Sequence, residues 1–222
     1  MIEGQVQAIE LFANSCDYGY GATHARKVAD LALSLFDQLS TTDLLQGMSA
    51  SDRRTLFAAG MVHDIGASAR ARAEIGLLPP WLPADSGPDV HEAISFQALR
   101  CWLDNPPPPL LSNPLSSPDR STLLYCVLWH TDSKPYEIPD EPLVNPESTM
   151  KLAGILRIAE ALDMRLRGLV AGIRVVPSAT WIRILVRSIG TVLDEVATAR
   201  ERSDLLGRAL GLRVFVQQVV EQ

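Results

Sequence analysis

The stretch AAGMVHDIGA, from Ala58 to Ala67, places an imidazole and a carboxylate side by side in the middle of an apolar, helix-like run. Such groups are costly to bury unless they are paired or bound to metal. A single His-Asp pair is a weak signal in a chain of 222 residues. The meaning of His63 and Asp64 therefore depends on which other side chains share their face of the fold.

All the histidines of the chain fall on apolar stripes of predicted helices. Each of them lies three, four or seven residues from an apolar position of its own helix, which puts both on one face. The four are His24, His63, His91 and His130. The helix periodicity therefore predicts that they point towards the core.

One aspartate shares this inward register. Asp163 lies four residues after Ala159 in LAGILRIAEALDMR (152–165). Taken singly, each residue has an ordinary explanation, either a satisfied core histidine or an aspartate paired with a nearby arginine. Taken together, they favour helices that converge on metal, because imidazole and carboxylate suit Mn, Fe, Zn, Ni or Co better than Ca.

Composition favours one sizeable domain, since 47% of the residues are hydrophobic and 21% are charged. The net charge of −6 and the lack of a continuous basic patch argue against duplex nucleic acid as a partner. No apolar run approaches the roughly 18 residues of a membrane span, so no membrane partner is expected. A cytoplasmic location is predicted, because residues 1–10 lack a basic signal region and Cys16, Cys101 and Cys126 form no C-x-x-C pair. Such cysteines are typical of reduced, buried thiols.

Periodicity predicts a mainly α fold with a small antiparallel sheet at its C-terminal end. The predicted helices cover about 4–16, 21–40, 50–66, 90–104, 118–131 and 148–168. The segment AGIRVVPSATWIRILVRS (171–188) has two β-branched runs around a turn and predicts a hairpin. One further helix over about 190–209 and a strand in GLRVFVQQVV (211–220) follow. We expect a helical metal-binding core over 1–168, with 169–222 as an α+β appendage packed on the same domain.

The order His, His-Asp, His, His, Asp resembles the HD superfamily of metal-dependent phosphohydrolases. The chain is most similar to the C-terminal helical domain of the exopolyphosphatase and pppGpp phosphohydrolase (Ppx/GppA) family. The segments that carry the resemblance are THARKVADLALSLFDQL (23–39), AAGMVHDIG (58–66), HEAISF (91–96), LLYCVLWHTDSKP (123–135) and LAGILRIAEALDMRLR (152–167).

The resemblance implies a centre for two divalent ions, drawn from Mn, Fe, Ni, Co, Zn and Mg. The implied ligands of the first ion are His24, His63, Asp64 and Asp163. Asp64 would bridge to a second ion held by His91 and His130. Alternatively, a site for one ion remains if only the first four residues meet.

The chain also departs from the related domains. The segment ADSGPDV (84–90) replaces a His-rich stretch, and Thr131 stands where an arginine often follows the histidine. The polyphosphate chemistry of the family belongs to an actin-like portion with phosphate loops, and the chain has no Gly-rich phosphate loop. Exopolyphosphatase activity is therefore not expected to carry over by resemblance.

Cationic side chains are expected near the metals, because a polyanionic substrate needs positioning charges. The catalytic candidates are Asp64 and Lys134, and the substrate-binding candidates are Lys134, Arg165, Arg167 and Arg26; Lys27 also follows His24. Pro135 would restrain Lys134 to extended geometry.

Two functions remain open. One is a phosphohydrolase that cleaves a phosphoester or phosphoanhydride with a metal-activated water. The other is a non-catalytic regulatory module that binds metal and a phosphorylated ligand. The partner in either case is a phosphorylated small molecule or nucleotide, and a homodimer is left open.

Overall fold

A computed structural model describes residues 4, 7, 9, 11, 13, 21–67, 90–105, 117–131, 138 and 140–219. Within these ranges the fold is mainly helical with a small C-terminal sheet, which confirms the predicted fold class. The core helices are α1 (Gly21–Ser40), α2 (Ala50–Val62), α3 (His91–Asp104), α4 (Ser117–Leu128) and α5 (Pro146–Ala161). Five positions of the predicted helix over 4–16 are described, and all of them are helical. The rest of that helix lies outside the described residues.

Local side-chain signals set where two core helices begin. The Ser49 hydroxyl accepts a hydrogen bond from the Asp52 amide, and the Asp52 carboxylate accepts one from the Ser49 amide. This reciprocal pair is a capping box, and it starts α2. The Asn145 side chain accepts from the Ser148 amide, while Pro146 occupies the first helical turn. Helix α5 therefore begins two residues earlier than predicted.

Three helices end earlier than the sequence predicts, and α4 stops at Leu128 instead of 131. Helix α2 stops at Val62, and a short 3-10 turn (Ile65–Ala67) follows the His-Asp pair. Helix α5 stops at Ala161 instead of continuing to 168. Leu166 and Gly168 both have positive φ, 55° and 60°, and this left-handed conformation is incompatible with a right-handed helix.

Helix α5 lies at the centre of the core, and α1 and α2 cross closely beside it. Every residue from Lys151 to Ala159 is buried, as expected of a helix surrounded by other elements. A Cβ on Gly60 would lie 2.7 Å from the Ala29 Cα, so only glycine permits this approach of α2 to α1. His63 follows Gly60 by three residues, and the tight crossing therefore fixes where the His-Asp pair lies.

The C-terminal sheet is mixed, which corrects the predicted antiparallel sheet. Its strands are β1 (Val170–Pro177), β2 (Trp181–Ser188) and β3 (Arg213–Val219), in the order β1-β2-β3. The first two form the predicted antiparallel hairpin, but β3 pairs with β2 in parallel. The connection from β2 to β3 contains helices, and a crossover of this length returns the chain to the start of the sheet.

The one further helix predicted over about 190–209 is in fact two, α6 (Leu193–Glu201) and α7 (Asp204–Leu210). The break comes at Ser203, whose hydroxyl donates to the Arg200 carbonyl at 2.7 Å and so competes for a helical acceptor. Arg202 pairs with Glu160, and Asp204 with the buried Arg157. These ion pairs attach the C-terminal helices to α5, while the domain boundary at 168 stays a prediction.

One predicted buried thiol is wrong. Cys126 is buried, but Cys101 is exposed. Cys101 lies in the last turn of α3, which ends at Asp104. None of the helices among the described residues is long and apolar enough to span a membrane.

Candidate metal centre

The Asp64 carboxylate lies between two pairs of histidines. Its Oδ1 is 3.3 Å from the Nε2 of His91 and 3.4 Å from the Nε2 of His130. Its Oδ2 is 3.6 Å from the Nε2 of His63 and 3.8 Å from the Nε2 of His24. Each carboxylate oxygen therefore faces one pair of imidazoles, and every imidazole turns the same ring nitrogen inward.

These five residues form two overlapping groups that could hold a metal ion. His24, His63 and Asp64 make one group, and Asp64, His91 and His130 make the other. Within each group the donor atoms lie within 4.8 Å of one another. We call the five residues the His-Asp cluster. Asp64 is the member that the two groups share.

The chemistry of His63 is compatible with metal binding. The imidazole is completely buried, and its Nδ1 lies 2.8 Å from the Gly60 carbonyl, so that nitrogen carries the proton and donates. Burial lowers the pKa of His63 to about 3, which keeps the ring neutral. Its Nε2 therefore presents a lone pair, and this atom has no hydrogen-bond partner among the described residues. A buried, neutral, unpartnered imidazole nitrogen is what a transition metal ion requires.

His130 is oriented in the same way. Its Nδ1 lies 2.6 Å from the Val127 carbonyl, which leaves Nε2 to face Asp64 and His91. The Nε2 atoms of His91 and His130 are 3.1 Å apart. Two nitrogen atoms at this distance can share a proton or a cation, so the pair could serve one coordination position.

Asp64 remains ionised in this environment. Burial alone would raise its pKa, but the imidazoles of His63, His130 and His91 outweigh burial and hold the pKa well below its usual range. The carboxylate therefore supplies a permanent negative charge to both groups.

The pKa values of His24 and His130 are raised. Burial opposes the charged form in both, but hydrogen bonds to Asp163 and Asp64, respectively, and the charge of Glu160 outweigh it. These two rings therefore keep a proton to higher pH than a free histidine.

This protonation predicts how metal affinity depends on pH. Metal binding requires neutral imidazole, so Zn²⁺ must displace the protons from His24 and His130. We expect affinity to fall between about pH 8 and about pH 6, with more protons released per ion at the lower pH. Calorimetry in buffers of different ionisation enthalpy measures this release. Binding without proton release across that range would contradict the prediction.

Asp163 contacts His24 on the side of the ring that faces away from Asp64. Its Oδ2 lies 2.9 Å from the Nδ1 of His24, and its Oδ1 accepts from the Gly168 amide at 3.0 Å. The left-handed Gly168 brings that amide back onto the carboxylate. In this arrangement Asp163 fixes the ring and tautomer of His24, as carboxylates behind metal-bound histidines commonly do. Its predicted role as a direct ligand stays a prediction.

Asp163→Asn tests the orienting contact. An amide nitrogen facing His24 would donate to Nδ1, which moves the ring proton to the inward-facing Nε2 and blocks the lone pair. We expect metal affinity in the group of His24 and His63 to fall by about ten- to a hundredfold. Metal titration by calorimetry measures the loss. Asp194→Asn, at an exposed partner of Arg165, is the control and should bind like the parent protein. Unchanged affinity in Asp163→Asn would overturn the orienting role.

The predicted substrate-binding arginines each have a carboxylate partner. Arg26 pairs with Asp30 and stacks over Phe57, with its guanidinium carbon 5.3 Å from the ring centre. Arg165 pairs with Asp194. Arg167 donates to Glu195 at 2.6 Å. Their roles towards a substrate stay predictions, and Lys134 lies outside the described residues.

Sequence reasoning missed one charged residue beside the cluster. Glu160 raises the pKa values of both His24 and His130, and it pairs with Arg202. The position of Glu160 could have been predicted from the sequence, because Glu160 precedes Asp163 by three residues and so shares its helical face. The Arg202 partner was not predictable, because it depends on how α6 and α7 pack on α5.

The chain matches no model of a known protein family, and its comparison with curated proteins finds no match. The function must therefore be argued from the geometry of the cluster.

Proposed function

We propose that this chain is an HD-type metal-dependent phosphohydrolase, similar to the helical domain of the Ppx/GppA family, that cleaves a phosphoester or phosphoanhydride. The observation that carries the proposal is the position of Asp64. One ionised carboxylate presents one oxygen to His24 and His63 and the other to His91 and His130. A carboxylate shared in this way suits two divalent ions held close together.

The donor set indicates which ions fit. Four imidazole nitrogens and one carboxylate favour Mn, Fe, Co, Ni or Zn, and Mg is the weaker match because it prefers oxygen ligands. When bound, such ions supply Lewis acidity for the attack of water on phosphorus and offset the charge of the phosphoryl oxygens.

The residues of the chain have separate parts in this chemistry. Asp64 holds the two histidine pairs in register through its charge. Asp163 and the Gly60 carbonyl hold the rings of His24 and His63 so that their Nε2 atoms face Asp64. The buried rings of His63 and His130 exclude bulk water from the back of the site. No side-chain nucleophile is needed for this reaction class.

Metal analysis followed by a turnover screen tests the proposal. The purified protein would be loaded with Mn²⁺, Co²⁺, Ni²⁺, Zn²⁺ or Mg²⁺ and assayed against p-nitrophenyl phosphate, nucleotides, cyclic dinucleotides and polyphosphate. We expect hydrolysis that requires metal and disappears in Asp64→Ala. Absence of bound metal would overturn the proposal. Metal binding without turnover of any substrate would favour the regulatory module instead.

The proposal includes a cytoplasmic location and a phosphorylated small molecule or nucleotide as partner. The free, exposed thiol of Cys101 supports the location, because exposed thiols persist in reducing compartments.

A further inference from the structure

A pocket of about 310 Å³ opens beside the His-Asp cluster and shares His24 with it. It lies between the start of α1 and the loop that follows α5. Its walls are Thr23, His24, Lys27, Asp163, Leu166 and Gly168. The pocket therefore borders the cluster at the orienting pair of His24 and Asp163.

Lys27 is the unusual residue of this pocket. Its side chain is half-buried on the wall, yet within the described ranges no carboxylate lies in salt-bridge distance of its ammonium group. Arg26, its neighbour, is exposed and paired with Asp30. A half-buried cation without an anionic partner is costly, and an anionic ligand would remove that cost.

The other polar groups of the pocket do not satisfy Lys27. Asp163 accepts from the His24 ring and from the Gly168 amide, and it makes no ion pair with Lys27. The Thr23 hydroxyl is an exposed donor on the same wall, one turn before Lys27. A cation and a hydroxyl donor on one helical face are the groups that a phosphate monoester needs.

Leu166 gives the pocket an apolar wall. It has a φ of 55°, which is rare for a leucine, and its side chain is 46% exposed. The left-handed conformation strains the backbone of a leucine, and the exposure of its apolar side chain to water costs further free energy. Contact with the organic part of a ligand would offset the exposure of this side chain.

We propose that this pocket binds a small phosphomonoester, with Lys27 and Thr23 on its phosphate and Leu166 on its organic part. This inference rests on the proposed function, because it assigns the substrate class to the same site. A single lysine matches one phosphate group, whereas a polyphosphate chain needs a row of cations. A volume of about 310 Å³ lies at the lower end of ligand pockets and suits a molecule of nucleoside monophosphate size.

Equilibrium binding of AMP and of inorganic phosphate, measured by calorimetry, tests the pocket. Each probe would be titrated into the metal-free protein, kept in chelator, and into the Mn²⁺-loaded protein. We expect Lys27→Met to weaken both probes by about tenfold or more, since it removes the charge but keeps the length of the side chain. Lys27→Arg should restore much of the affinity. Leu166→Ala should weaken AMP but leave inorganic phosphate unchanged.

Arg208→Met is the control, because it removes the same charge from an exposed arginine of α7 that is paired with Asp204. It should bind both probes like the parent protein, and metal content should stay unchanged in every variant. AMP binding that is equal in Lys27→Met and the parent, or absent from both protein forms, would overturn the proposal. If the chain binds no metal but AMP binding still depends on Lys27, the proposed phosphohydrolase function is wrong and the proposed pocket is supported.

Discussion

Replacing Asp64 with alanine is expected to remove metal from both positions of the His-Asp cluster. The two histidine pairs share this single carboxylate, with Oδ1 facing His91 and His130 and Oδ2 facing His63 and His24. Its loss leaves two neutral imidazoles per position, and it also removes the charge that offsets two divalent ions. We expect affinity to fall more than a hundredfold at each position, which is a larger loss than supporting residues cause.

Metal content per chain, measured by mass spectrometry after loading with Mn²⁺ or Zn²⁺, gives the result directly. The parent protein should hold about two ions and Asp64→Ala close to none. His130→Ala and His63→Ala serve as controls and should each lose mainly one ion. Asp64→Asn keeps the shape of the side chain, so loss of metal in this variant as well would exclude a folding defect as the cause. If Asp64→Ala kept one ion with the affinity of the parent, the shared role would be wrong.

Local patterns predicted the helices and the hairpin well, because each depends on residues close in sequence. The bounds of α1 agree with the predicted 21–40, and β1 and β2 form the expected hairpin. The direction of β3 was not predictable in this way. It depends on how α6 and α7 carry the chain back across the sheet, and a strand has the same alternating pattern in either direction.

The inward register of the histidines was also predictable, since it follows from helix periodicity. His24, His63 and His130 are buried, and His91 is partly exposed at the start of α3. The fine geometry was not predictable. Whether Asp163 faces an ion or the back of His24 depends on the left-handed turn at Leu166 and Gly168, where the sequence suggested continued helix.

The close approach of backbones around the His-Asp pair is the other feature that periodicity does not reveal. Gly66 lies in the 3-10 turn directly after Asp64, and its amide donates to the Ser95 hydroxyl at 2.8 Å. The first turn of α3 packs directly on this glycine, and the same turn carries His91. Gly66 therefore sets the distance between Asp64 and the second histidine pair.

Gly66→Ala is expected to be strongly destabilising. A Cβ at this position would lie 2.2 Å from the His91 carbonyl oxygen and 2.5 Å from the Ser95 amide nitrogen. Both are backbone atoms of α3, so a side-chain rotation cannot relieve the overlap and the helix must move. We expect the free energy of unfolding of the metal-free protein to fall by about 3 kcal/mol or more, measured by urea denaturation. The matched control is Gly190→Ala, whose Cβ would meet Leu169 at an ordinary 3.6 Å and should change stability by less than about 0.5 kcal/mol. Because the displaced helix carries His91, the folded fraction of Gly66→Ala should also lose metal mainly from the position of His91 and His130. A variant as stable as the Gly190→Ala control, with both ions retained, would show that α3 does not depend on this contact.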